Sequence, residues 1–277
     1  DLHYPLRRQR QMCIRDRFIA LSCIFRNKVY FSLGILSVLI FFPQNNFHSE
    51  YFGKGIEIGI IQPALDPFKK FQADEATNIE ETLLNLSEKH SNADLIIWPE
   101  SPFPYLNSSP QMKGLLSKTS NFPIILSGTW EYNNNKLFNA LTLLGANQSY
   151  YKRHLVPFGE YVPFERIIRG LIEFFDLPMS SITQGRSKQE LFNIKEFKVL
   201  GMICFDVAFP LSFIEETKKA DFIVNVSNDT WFGSSYGPYQ HLQIVRARAL
   251  EANKWIVRGT SDAVSYTHLT LPTKRIV

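Results

Sequence analysis

The sequence predicts an α/β fold built as one large domain, and three observations carry that reading. Short apolar runs alternate with polar, helix-compatible segments from residue 56 onward. Two of those segments carry apolar stripes at helical spacing. With 277 residues, 45% hydrophobic and only 20% charged, the chain can bury a full core and is no disordered tail.

The elements follow in order. Strands are predicted at 56–62, 95–99, 124–130, 137–144, 199–204, 222–226 and 255–259, each a run dominated by Ile, Val, Leu, Phe or Trp. Helices are predicted at 74–90, 111–120, 210–219 and 239–253. The first has Ile79, Leu83, Leu86 and His90 on one stripe, and the last has Leu242, Val245, Ala249 and Ala252. Between 158 and 186 the chain is rich in loop signals, with Pro163, Pro178 and Gly185, yet it carries Ile167, Leu171, Phe174 and Phe175. Two readings stand for it: a helix packed on the core, or an exposed apolar lid meeting lipid or a hydrophobic substrate.

The ends differ from this pattern. Residues 29–42 are uncharged and apolar, preceded by Arg26 and Lys28 and followed by Pro43. A bilayer span takes about 20 apolar residues. Three readings therefore compete for 18–43: part of a transmembrane helix, a signal-peptide core, or a buried helix. If the segment spans, Arg26 and Lys28 mark the cytoplasmic side and the domain at 55–265 lies outside. Residues 1–17 and 266–277 lack the periodicity of their neighbours and read as non-native termini. Much of the net charge of +4 lies in the first 28 residues. The remainder is near neutral, which argues against nucleic acid as a partner.

Of the cysteines Cys13, Cys23 and Cys204, only Cys204 falls within the domain, so no disulfide forms inside it. Cys204 ends the run 198–204, a placement that parallel α/β sheets reserve for reactive groups. The run 94–100 has the same shape and delivers Glu100, while 150–160 supplies Lys152 and Glu160. A free thiol has a pKa of about 8.5, so a nucleophilic cysteine needs a base. Glu100 can be that base, and Lys152 can stabilise an oxyanion. Together they describe acyl transfer through a thioester. Each residue alone has a plainer reading as an inert buried thiol, a loop cap or a solvated lysine.

The motifs that lift the combination above those readings are Ile96-Ile-Trp-Pro-Glu100, Lys152-Arg-His-Leu-Val-Pro-Phe-Gly-Glu-Tyr-Val-Pro163, Gly201-Met-Ile-Cys204 and Asn228-Asp-Thr-Trp-Phe-Gly233, continuing to Glu251. They resemble the nitrilase superfamily, and within it the apolipoprotein N-acyltransferase branch. The resemblance implies a four-layer α-β-β-α sandwich and a triad of Glu100 as base, Lys152 as oxyanion cation and Cys204 as nucleophile. It implies Glu160 as a further active-site carboxylate. It implies a phospholipid acyl donor, an apolipoprotein acceptor whose N-terminal diacylglyceryl-cysteine amine is acylated, no cofactor, and attachment to the bacterial inner membrane with the catalytic domain on the periplasmic side. Phe205 and Asp206 stand where the branch commonly has Tyr-Glu, and Phe71 where it often has tryptophan. These departures bear on substrate contacts rather than the triad.

Two rivals remain: a soluble nitrilase-type amidohydrolase using the same triad, and a catalytically dead scaffold in which the three side chains do not converge. An exposed apolar patch at Ile167, Leu171, Phe174 and Phe175 would favour the acyltransferase. Asn228, Asp229, Trp231 and Phe232 read either as an acyl-pocket wall or as a turn held by side-chain hydrogen bonds. Trp98 reads as core. His154 and His241 have no partners at metal-ligand spacing, so no metal site is expected.

Overall fold

The computed structural model describes residues 55–66, 69–72, 75–163, 182–233 and 235–262, with the backbone of 266–268. The segments 1–17 and 18–43, and the apolar positions 167–175, lie outside the described residues. Among the described residues no helix is long and apolar enough to cross a membrane.

The first half of the domain runs β1 (Ile58–Ile60), α1 (Glu75–Glu88), β2 (Leu95–Ile97), α2 (Pro110–Lys118), β3 (Ile124–Asn133), β4 (Lys136–Leu143) and β5 (Ser149–Tyr151). The second runs β6 (Phe192–Ile194), β7 (Phe197–Ile203), α3 (Ile214–Lys219), β8 (Phe222–Ser227), α4 (Gly237–Ala252), β9 (Trp255–Thr260) and β10 (Tyr266–His268). Each half makes a five-stranded mixed sheet, in the orders β1-β2-β3-β4-β5 and β10-β9-β8-β7-β6. Three parallel strands joined through helices form the body of each sheet: β1, β2, β3 in one and β7, β8, β9 in the other. Antiparallel strands complete the edges. The three residues of β10 belong to the segment that periodicity set apart, and they pair with β9.

Alternation along the strands builds the layers. Leu95 and Ile97 join the cluster shared with the second sheet, whereas Ile96 and Trp98 pack with Ile79 and Leu83 of α1 and Met112 and Leu115 of α2. Burying each such aliphatic side chain stabilises the fold by about 1.5–3 kcal/mol. The sheets touch closely: a methyl group added to Gly259 would lie 2.9 Å from Ile97 Cγ2, and one on Gly201 would lie 2.8 Å from Leu141 Cδ2. Val245 and Ala249 put the stripe of α4 on the second sheet. The result is the α-β-β-α order, and a side chain larger than glycine at either position would make side chains between the sheets repack.

Local signals set the joins. Ser109 caps α2 by accepting from Met112 N (3.1 Å), with Pro110 in the first turn. Asn134 and Asn135 both take positive φ (49° and 59°) to turn β3 into β4, as a two-residue hairpin demands. The predicted helix at 210–219 is instead a 3₁₀ turn over Pro210–Phe213 followed by the six residues of α3. Pro210 and the crowded aromatic residues around it tighten that first turn.

Candidate active site

Glu100, Lys152 and Cys204 come from the ends of β2, β5 and β7, and the fold brings them to one place. Beyond β2 the chain stays in register with β3: Trp98 N donates to Leu126 O (3.0 Å), and Gly128 N donates to Pro99 O (3.1 Å). Gly128 is needed there, because a methyl on it would lie 2.7 Å from Glu100 Cα. Lys152 continues β5, donating its N–H to Asn139 O (2.9 Å). Cys204 follows β7 immediately, with a φ of +48° that few non-glycine residues adopt. That turn lifts the thiol off the strand and starts a 3₁₀ helix over Cys204–Ala208.

The charges are tightly joined. Lys152 Nζ donates to Glu100 Oε1 (3.2 Å) and Glu160 Oε1 (2.8 Å). Asn139 Nδ2 donates to the same two oxygens at 2.8 and 3.1 Å. Glu100 Oε2 accepts from Asn228 N (2.9 Å), a backbone amide at the end of β8, so this carboxylate bridges the sheets. Glu160 Oε2 accepts from Val156 N (2.8 Å), which pins the 156–160 turn. Lys152 is 1% exposed and Glu100 8%, so these ions act on one another with little screening by water.

That burial sets the protonation states. Desolvation alone would pull the Lys152 ammonium down, but Glu100, Cys204 and Glu160 outweigh it and hold the ammonium above its ordinary value. The half-buried Cys204 thiol is pushed up to about 12, first by burial and then by Glu100, against the pull of Lys152 and a hydrogen bond with Ser227. The resting sulfur is therefore a thiol, and it would have to lose its proton to act as a nucleophile. Glu100 is the carboxylate whose field the thiol feels most strongly.

Asp206 is fully buried and anchors rather than faces the site. Its Oδ1 accepts from His154 N (2.8 Å), Arg153 N (3.2 Å) and His154 Nδ1 (3.1 Å), and its Oδ2 from Tyr150 OH (2.8 Å) and Ile203 N (3.1 Å). The Lys152 turn and the Cys204 elbow are thus tied to one carboxylate. Phe205 packs edge-on against Phe209, with ring centroids 5.0 Å apart. Phe71 and Trp231 are 53% and 56% exposed, on loops beyond β1 and β8.

Several residues escaped the sequence reading. Asn139 orients both carboxylates, and its only signal is an amide in the middle of an apolar strand. Lys70, buried beside Phe71, donates to Ser101 O, with its ammonium 5.4 Å from the Phe71 ring centroid and 5.7 Å from that of Trp130. Burial lowers Lys70 to about 8, with Glu100 acting in the opposite direction. Asp229 and His241 lie close enough to Cys204 for one atom of each to fall within 4.8 Å of the others. Their polar atoms are already engaged: Asp229 with Ser227, His241 and Arg258, and His241 also with the Cys204 carbonyl. An arginine in contact with that carboxylate disfavours a metal cation there. Trp98 is core, donating from Nε1 to Ser87 Oγ of α1 (2.9 Å).

Two mixed sheets face to face, helices outside, and a thiol meeting a carboxylate and an ammonium at the strand ends define a nitrilase-type sandwich. The sequence pattern of the carbon-nitrogen hydrolase family matches residues 57–264, and the chain belongs to that family. Within it, the chain is 34% identical over 225 residues to the apolipoprotein N-acyltransferase of Pseudomonas syringae pv. tomato, a match covering 77% of this chain and 44% of that protein. It is 38% identical over 202 residues to the protein of that name from Pseudomonas paraeruginosa, covering 70% and 39%. Against the Shewanella oneidensis protein of the same name it is 29% identical over 237 residues, covering 77% and 45%. The chain thus spans less than half the length of these curated relatives. The crystal structure of a carbon-nitrogen hydrolase from Helicobacter pylori G27 shares the fold, with a TM-score of 0.50 at 18% identity over 74% of this chain and 73% of that one.

Proposed function

We propose that this chain is the catalytic domain of an N-acyltransferase that moves an acyl chain from a phospholipid, through a Cys204 thioester, to the N-terminal diacylglyceryl-cysteine amine of an apolipoprotein. The observation that carries it is the Glu100–Lys152–Glu160 charge cluster beside a thiol at a strained strand end. Relatives named apolipoprotein N-acyltransferase favour this branch over simple amide hydrolysis.

Glu100 takes the thiol proton as Sγ attacks the ester carbonyl carbon of the donor. The carbonyl oxygen becomes an oxyanion, and Lys152 stabilises it; a fixed donor in that position contributes about 2.7–4 kcal/mol. The intermediate collapses by breaking the bond to the alcohol oxygen, which takes the proton from Glu100 and leaves as lysophospholipid. In the second half the acceptor amine attacks the thioester carbon and loses its proton to Glu100. The C–S bond then breaks, and the sulfur recovers that proton. Glu160 and Asn139 hold Lys152 and Glu100 in place throughout.

A lipid donor needs an apolar approach. Phe71, Phe158, Phe209, Leu211, Trp231 and Phe232 are exposed, all in the loops that follow strand ends on the site's side of the sheets. Residues 18–43 serve in this reading as part of a membrane helix, with the domain at 55–265 on the periplasmic side of the bacterial inner membrane.

The test is to incubate the full-length protein with phospholipid, trap the enzyme and locate the added mass. An acyl group on Cys204, chased off by a diacylglyceryl peptide amine, is the expected result. Loading from small amides alone, or release only to water, would overturn the acyltransferase reading in favour of an amidohydrolase.

A further inference from the structure

Behind the nucleophile, between the second sheet and α4, lies a second set of buried ions that the proposed reaction does not use. Asp229 and Arg258 are at most 1% exposed, and His241 is 7% exposed. Asp229 Oδ1 accepts from His241 Nδ1 (2.9 Å) and Ser227 Oγ (2.5 Å), and its Oδ2 accepts from Arg258 Nη2. Burial would raise the Asp229 carboxyl, but His241, Arg258 and Ser227 together hold it below its ordinary value. Arg258 Nη2 also lies 3.3 Å from His241 Nδ1.

The set reaches Cys204 at two points. His241 Nε2 lies 3.1 Å from the backbone carbonyl oxygen of Cys204, and a carbonyl only accepts, so the ring donates to it. Asn225 Nδ2 reaches the same oxygen from the neighbouring strand at 3.4 Å. That carbonyl belongs to the residue held at a φ of +48°. A residue with a side chain persists there only when its surroundings over-determine it. Ser227, which donates to the same Asp229 oxygen as His241, also hydrogen-bonds the Cys204 side chain. Backbone and thiol of the same residue are therefore gripped by one buried ionic cluster.

We propose that His241, oriented by Asp229 and Arg258, is a positioning residue for the nucleophile. By holding the Cys204 carbonyl it keeps the elbow turned and the sulfur directed to the Glu100–Lys152 pair. It contacts neither donor nor acceptor. Loss of its N–H lets the backbone relax toward the extended conformations a cysteine prefers, carrying the sulfur away from its base. The inference rests on Cys204 as nucleophile but not on the identity of the acyl donor.

Two rates on the full-length protein test it, each expressed per folded molecule from near-UV circular dichroism. One is single-turnover acyl loading of Cys204 from labelled phospholipid, and the other is alkylation of Cys204 by iodoacetamide, which needs no acyl donor. His241→Leu is expected to slow loading by about 100-fold, the scale of a misplaced reacting group, with the donor concentration for half-maximal rate unchanged. His241→Gln, whose amide N–H extends about as far as Nε2, restores most of the loss. His241→Asn, equally polar but too short, does not, and the Gln–Asn pair carries the comparison should the leucine variant fail to fold. Wild-type loading and alkylation rates in His241→Leu, or equal rates in the Gln and Asn variants, would overturn the proposal. If the wild type takes no acyl group from phospholipid while alkylation still follows the order His, Gln, Asn, the donor assignment falls and the positioning role stands.

Discussion

The two sheets of this domain repeat one plan, three parallel strands with helices between, yet they treat charge in opposite ways. In the first sheet Glu100 and Lys152 act on the thiol, and Lys152 bonds directly to both Glu100 and Glu160. In the second, Asp229, His241 and Arg258 sit behind the reacting residue and touch it through backbone. The first cluster carries one more negative than positive charge, so it can lose a carboxylate without stranding its lysine. The second sets a single buried carboxylate, Asp229, between Arg258 and a His241 ring that donates from both nitrogens. Charges arranged for chemistry are replaceable in the fold; charges arranged for support are not.

The largest effect expected from this contrast is on rate. Glu100→Gln should lower acyl loading of Cys204 by about 100- to 10,000-fold, the range for a lost general base, while leaving the urea midpoint near that of the parent. Arg258→Met should do the reverse: removing one partner of a buried ion pair costs about 3–5 kcal/mol, read as a lower urea midpoint at unchanged slope. Equal destabilisation by both substitutions would break the contrast.

A third outcome runs against intuition. The Glu100 field helps push the Cys204 thiol up to about 12, so removing it moves the apparent pKa down. Iodoacetamide alkylation at pH 9 should then be faster in Glu100→Gln than in the parent, although acyl loading is lost. Slower alkylation would mean that the carboxylate does not act on the sulfur. Gly128→Ala presses a methyl against Glu100 Cα and should cost about 1–3 kcal/mol by thermal or urea unfolding, with a matching loss of rate. The smallest effect belongs to Lys70. Its ammonium holds Ser101, next to Glu100, and loses its proton near pH 8. Acyl loading should show a shallow fall across that pH which Lys70→Met flattens, with parent and variant converging above it.

The elements legible in the sequence were those lying within apolar runs or stripes. All seven apolar runs read as strands contain strands, α1 and α4 lie where the stripes put them, and α2 falls within the helix predicted at 111–120 to one residue at its start. The strands β5 and β6 were missed because a polar residue, Ser149 or Asn193, breaks each of them, whereas the equally short β1 and β2 lie inside apolar runs. The β6–β7 turn also lacks the glycine or asparagine that marks a hairpin, placing Lys195 at a φ of +52° instead. Glu100, Lys152 and Cys204 were legible as candidates because each ends an apolar run or lies within a quoted motif. Asn139, Asn225 and Arg258 were not, although each is a polar interruption of an apolar strand. Their partners lie on neighbouring strands or in the opposite sheet, and sequence spacing does not report contacts made across a sandwich. Asp206 was read as a substrate neighbour, whereas five donors fix it inside the protein.

Glu100 hangs from the first sheet and is latched by a main-chain amide of the second. Reactivity is thereby made a property of the finished molecule. A nascent chain emerging as far as residue 203 holds acid and ammonium but not Cys204, and one whose later strands have not docked leaves the base without its latch. In the proposed reaction the thiol would thus stay without its positioned base until folding is complete.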